Sequence, residues 1–314
     1  MRVAGYLDLQ INGVGAIDFS RADGAEWDAV GRHLLTAGVT GYLPTLCTMP
    51  LDRYDAALDR VAAARERAVP PILGVHLEGP FLGGAPGAHP VSMLRMMDTD
   101  WLSGLLDRHP GLVRLVTVAP EADPGCGGIR MLHERGVLVA LGHTVCTYEQ
   151  AIAAAAAGAS LTTHLFNGMA PLHHRTPGIV GAALDPDVPL TPTLIGDLVH
   201  VHPALVRTVF RASEPILVSD AVATGVRYFD SAVTAERGAA FLADGTLTGA
   251  VALLDQAVRN TVGLGVPFAV AHAAASTRPA AVLGSAVRGQ IELDEHLSVV
   301  SVFIDEHCVY RREE

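Results

Sequence analysis

Val137-Leu-Val-Ala-Leu-Gly-His-Thr144 runs almost directly into Tyr148-Glu-Gln-Ala-Ile-Ala-Ala-Ala-Ala-Ala157. The first stretch is a short apolar run that ends on an imidazole; the second is a strong helix former. Together they read as one βα unit with a polar residue at the strand's C-terminal end. The same grammar recurs along the chain. Apolar runs at residues 6–11, 39–43, 72–77, 112–118, 160–163, 193–195 and 216–219 alternate with amphipathic stretches such as 26–37, 53–67 and 129–135. Eight strands separated by helical patterns predict an α/β protein, a (β/α)8 TIM-type barrel over residues 1–289. An open doubly wound sheet would carry a glycine-rich phosphate turn after its first strand, and Gly13 and Gly15 supply only a fragment of one. Beyond Asp220 the pattern changes. Phe241-Leu-Ala-Asp-Gly-Thr-Leu-Thr248 reads as a hairpin with an Asp-Gly turn, residues 253–264 and 268–275 as helices, and the tail 290–314 as β-strands outside the barrel.

Composition narrows the chemistry. The chain has 314 residues, half of them hydrophobic and 18% charged, which fits a compact globule rather than a disordered polymer. A formal net charge of −11 argues against nucleic acid or an anionic membrane as partner. All 22 basic residues are arginine. Without lysine there is no Schiff-base lysine, no Walker A lysine and no carboxylated lysine bridging two metals. The four cysteines form no Cys-x-x-Cys pair and read as reduced, structural thiols. No leader pattern or membrane-length apolar run is seen, so the expected location is cytoplasmic.

Polar residues gather where a barrel builds its active face. His76-Leu-Glu78, Gly142-His143-Thr144, Thr163-His164 and Ser219-Asp220 all fall at strand ends. One carboxylate and two imidazoles with an open fourth position form a hydrolytic metal arrangement, with Asp220 then available as general base.

These segments, taken together, resemble the N-acetylglucosamine-6-phosphate deacetylases of the amidohydrolase superfamily. The resemblance rests on Gly74-Val-His-Leu-Glu-Gly-Pro-Phe-Leu82, Gly87-Ala-His-Pro90, Val118-Ala-Pro-Glu121, Gly142-His-Thr144, Thr163-His-Leu-Phe-Asn-Gly-Met169, Gly196-Asp-Leu-Val-His-Val-His-Pro203 and Leu217-Val-Ser-Asp-Ala221, in order along the chain. It implies that Glu78, His143 and His164 hold one divalent metal, Zn2+ or else Fe2+. It also implies that Asp220 moves the proton between attacking water and leaving amine, and that His89 and His200 contact the sugar or its reacting carbonyl. Asn167, Gly168 and Arg175 would bind the 6-phosphate, the arginine coming from the neighbouring subunit of a homodimer.

Where many amidohydrolases carry His-x-His at the end of the first strand, this chain has Gln10-Ile-Asn12; amides are poor ligands for zinc or iron, so a single metal is expected. The family usually begins with a small β-sandwich domain, of which the resemblance leaves only the 290–314 tail as a remnant. The loop Gly83-Gly-Ala-Pro-Gly87 lacks the family's basic residues, Thr176 replaces a glutamate, and Val145-Cys146 replaces a polar-Ala pair. These changes keep two alternatives open: a deacetylase of another N-acetylated sugar, and a non-catalytic sugar-phosphate binder.

Overall fold

The computed structural model describes residues 1–228 and 231–313; the last residue of the expected 290–314 tail lies outside them. Eight parallel strands form one sheet, Tyr6–Ile11, Val39–Cys47, Val75–Glu78, Val113–Val118, Leu138–Leu141, Leu161–Thr162, Thr191–Ile195 and Ile216–Val218, each beside the next in chain order. The first and last are joined just past their ends, where Asp220 N donates to Gln10 O at 2.9 Å and Asn12 N to Ala221 O at 2.7 Å. The sheet therefore closes into the (β/α)8 barrel that the alternation predicts.

Apolar side chains explain the two layers. Leu9, Leu43, Leu115, Ala140, Leu161, Ile195 and Val218, one from each of seven strands, form a single buried cluster along the barrel axis. A larger cluster, including Leu34, Leu58, Leu105, Ile129 and Val206 of the surrounding helices, seals the outside of the strands. Helix starts follow local chemistry: Thr147 and Gln150 form a capping box before Tyr148–Ala156, and Asp98 accepts from Trp101 N ahead of Thr99–Arg108.

Two additions flank the barrel. Arg227–Tyr228, Ser231–Glu236, Ala239–Leu242 and Leu247–Ala250 make an antiparallel sheet beyond the eighth strand, with the expected Asp244-Gly245 turn inside it. The tail strands Gly289–Leu293, Val299–Ile304 and His307–Arg311 form a second antiparallel sheet whose outer strand is the chain's own Arg2–Ala4. The sequence reading placed the first strand of the chain in the barrel and missed this short one before it. Three residues with no apolar alternation give no strand signal; only pairing with Glu292, Ile291 and Gln290 makes them one.

Leu115 lies 2% exposed in the axial cluster. Leu115→Ala is expected to lower the free energy of unfolding by about 2–5 kcal/mol, measured by equilibrium urea denaturation.

Candidate active site

The strand ends converge on one carboxylate. Glu78, last residue of the third strand and 3% exposed, receives Gln10 Nε2 at 3.0 Å, while its Oε1 faces His143 Nε2 at 3.1 Å and His164 Nε2 at 3.0 Å. The two imidazole rings stand nearly perpendicular, 4.9 Å apart. Burial alone would raise Glu78, but hydrogen bonds and charge from the two histidines outweigh it and hold the carboxyl well below the usual range. Burial likewise opposes the His164 cation, and Glu78 overcomes it, lifting that ring to about 9. His76, two residues earlier on the same strand, belongs to a different set. Its Nε2 meets Thr117 at 2.8 Å and burial drives it down to about 4, so it is a neutral core residue.

The donor chemistry fits a divalent cation. His143 Nδ1 lies 3.1 Å from the Ala85 carbonyl, to which it can only donate, so Nε2 is the ring atom left to offer a proton or a lone pair toward Glu78 Oε1. A nitrogen and a carboxylate oxygen at that separation have either a proton or a cation between them. His164 Nδ1 is buried with no hydrogen-bond partner. The three side chains present donor atoms within 4.8 Å of one another. Gln10 and Asn12 are engaged otherwise: their amide nitrogens donate to Asp220 Oδ1 at 3.1 and 2.8 Å. The His-x-His position of other amidohydrolases is thus filled here by N–H donors that orient the acid. Burial, then repulsion from Glu78, pushes Asp220 up to about 6, a suitable range for a group that takes and returns a proton near neutrality.

Backbone strain marks the same residues. His143, His164 and Asp220 have φ of 49°, 29° and 49°, in the left-handed region that side chains other than glycine's rarely occupy. Each is pinned by its surroundings: Gly83 N donates to His143 O at 2.8 Å, His164 N to Thr193 Oγ1 at 2.7 Å, and Asp220 N to Gln10 O.

A cavity of about 320 Å³ opens over the site. Glu78, His89, His143, His164, Asn167, Gly168, His200 and Asp220 all line it, so eight of the nine expected site residues are brought together. His89 packs on His143 with ring centroids 4.4 Å apart, and His200 Nδ1 is clamped by Asp197 Oδ2 at 2.6 Å. Arg175 is the exception. It is exposed, with Nη1 2.7 Å from His174 Nε2, and is not among the lining residues.

Two contributors escaped sequence reasoning. Glu121 ties the loop after the third strand to the loop after the fifth: its Oε1 accepts from Gly84 N at 3.1 Å and Val145 N at 2.8 Å, and its Oε2 from the Thr144 hydroxyl. The Val118-Ala-Pro-Glu121 motif was the available signal. The wall formed by Val226 and by Val233 and Leu247 of the antiparallel sheet was the other, and nothing in the 241–248 hairpin pattern places it over the site.

A parallel eight-stranded barrel with a carboxylate, two imidazoles and a second buried acid at its C-terminal rim defines a metal-dependent amidohydrolase. No family model matches the chain. Relatives do: it is 36% identical to the N-acetylglucosamine-6-phosphate deacetylase of Bos taurus, over 99% of this chain and 83% of that one. It is also 36% identical to an N-acetylgalactosamine-6-phosphate deacetylase of Escherichia coli, over 95% of this chain and 82% of the relative. The solved N-acetyl-D-glucosamine-6-phosphate deacetylase mutant of Mycobacterium smegmatis, in complex with N-acetyl-D-glucosamine-6-phosphate, superposes with a TM-score of 0.91 at 33% identity, covering 98% of this chain and 86% of that one. The chain belongs to the N-acetylglucosamine-6-phosphate deacetylase family and is an enzyme of the metal-dependent amidohydrolase kind.

Gly168 has φ +58°, and a Cβ there would sit 2.7 Å from His143 Nδ1. Gly168→Ala should displace the ring from its Ala85 anchor and weaken metal affinity roughly 10- to 100-fold, as loss of an outer-shell partner typically does; chelator competition would read it.

Proposed function

We propose that this chain hydrolyses the acetamide of N-acetylglucosamine 6-phosphate to glucosamine 6-phosphate and acetate. In this reading Glu78, His143 and His164 hold one divalent ion, Zn2+ first and Fe2+ as the alternative. The observation that carries it is the placement of Asp220, fixed by Gln10 and Asn12, beside that triad in a chain of this family. A divalent ion bound there polarises a carbonyl and makes water more acidic.

The chain's own residues do the rest. Asp220 takes the proton of the water whose oxygen adds to the acetyl carbon. It returns that proton to the nitrogen as the carbon–nitrogen bond breaks, giving acetate and the free amine. His89 and His200 contact the sugar and its carbonyl, with Thr48 holding the Nδ1 of His89 and Asp197 that of His200. Val222, Ala223 and Leu247 offer an apolar wall to the carbon face of the ring. Asn167, Gly168 and Arg175 form the phosphate set. An exposed Arg175 suits supply to a partner's cavity in a homodimer, where guanidinium geometry matches a dianion. Among the described residues no helix is long and apolar enough to cross a membrane; we read the enzyme as cytoplasmic, with its barrel inside 1–289 and its β-strand tail in 290–314.

The galactosamine epimer is the second reading, because a relative named for it matches as closely as those named for the glucosamine compound. Comparing kcat/KM for the two epimers separates them.

Asp220→Asn should lower acetate release by about 10²–10⁴-fold with the fold intact, checked by coupled acetate assay and circular dichroism. Exhaustive chelation should abolish turnover and added Zn2+ restore it. Arg175→Ala should raise KM for the phosphorylated sugar and leave the unphosphorylated sugar unchanged.

A further inference from the structure

Glu78 has two oxygens, and only Oε1 faces His143 and His164. Oε2 faces a second group of donors. Cys47, the last residue of the second strand, is in register with Glu78 on the adjoining third strand, and its Sγ lies 3.6 Å from Glu78 Oε2. His89 Nε2 lies 3.8 Å from the same oxygen. The Asn12 Oδ1 is 3.1 Å from the sulfur. Thr48, next in sequence to Cys47, holds His89 Nδ1 at 2.9 Å and so turns Nε2 inward.

We propose that Cys47, Glu78 Oε2 and His89 form a second divalent-cation site that shares Glu78 with the first. The inference rests on the reading of Glu78, His143 and His164 as the primary site. At 3.8 Å the imidazole–carboxylate contact is too long for a hydrogen bond. Bonds of about 2.3 Å to sulfur and about 2.1 Å to nitrogen and oxygen make tetrahedral edges of roughly 3.4–3.6 Å; the sulfur–carboxylate distance of 3.6 Å meets that and the imidazole–carboxylate distance of 3.8 Å exceeds it by a few tenths of an ångström. The three donor atoms fall within 4.8 Å of one another. Thiolate, imidazole and carboxylate together select a borderline or soft ion such as Zn2+, Co2+ or Cd2+ over Mg2+ or Ca2+. A second ion departs from the single metal per chain expected from Gln10, Asn12 and the absence of lysine. Cys47 and His89 come from other strand ends. The thiol proton leaves to solvent as the ion binds. His89 Nε2 cannot hold an ion and touch the sugar at once, so the site is inhibitory.

The test uses the full chain equilibrated with increasing Co2+, with bound metal counted by mass spectrometry and the thiolate-to-cobalt charge-transfer band followed in the near ultraviolet. The expected result is a first equivalent without the band and then a second equivalent with it, the second accompanied by falling kcat/KM. Cys47→Ser and His89→Asn should each keep the first equivalent and lose the second, and Cys47→Ser should lose the band. Saturation of the wild-type chain at one equivalent, a band that survives Cys47→Ser, or full activity with both equivalents bound overturns the proposal while leaving the primary site standing. Failure of the first equivalent to bind removes the primary reading and this one together.

Discussion

A carboxylate buried in the mouth of a barrel is the constraint from which the rest of the site follows. Glu78 is almost wholly buried, so water solvates it poorly, and an uncompensated charge there would be strongly destabilising. Compensation has to come from side chains on other strands, because neighbours along its own strand point elsewhere. Gln10 from the first strand, His143 from the end of the fifth and His164 from the end of the sixth therefore all aim at it. The barrel is the scaffold that lets four distant stretches of sequence share one acceptor. The register of its parallel strands fixes which residues reach the rim, and the closing hydrogen bonds between Gln10 and Asp220 carry the second acid to the same spot.

This concentration of polar groups is held against the backbone's own preferences. The left-handed conformations of His143, His164 and Asp220 are disfavoured for L-residues. They persist because hydrogen bonds over-determine them: Gly83 and the Glu121 ties for His143, Thr193 for His164 and Gln10 for Asp220. Glu121 welds two rim loops so that the histidine between them keeps one orientation. Its closeness to Gly83, whose Cβ would fall 2.0 Å from Glu121 Oε1, leaves no room there for any side chain.

Much of this was legible in the sequence. The eight strands were readable because each is a short apolar run closed by a polar residue, and the rim residues because that polar residue falls at the strand's end. The chain could not show which member of His76-Leu-Glu78 faces the cavity, and the resemblance to the deacetylases supplied that choice. Cys47 gave no signal: a thiol at the end of an apolar strand looks like packing, and only its register with Glu78 reveals otherwise. Arg175 was named from the resemblance, and it lies exposed on a loop outside the barrel. The strand Arg2–Ala4 and the wall from the antiparallel sheet were unreadable for a common reason. Both are made by pairings between segments far apart along the chain, and local periodicity carries no trace of them.

The small tail sheet has a mechanical meaning. Its outer strand is the first few residues of the described chain, and the amino group of Met1 donates to Leu293 O at 2.6 Å. Residues 1–4 and the strand Gly289–Leu293 are thereby joined to each other at one place beside the barrel. Tension applied between them would first shear the backbone rungs that Arg2, Val3 and Ala4 make with Glu292, Ile291 and Gln290. The catalytic rim would feel the pull only after that clasp had slipped.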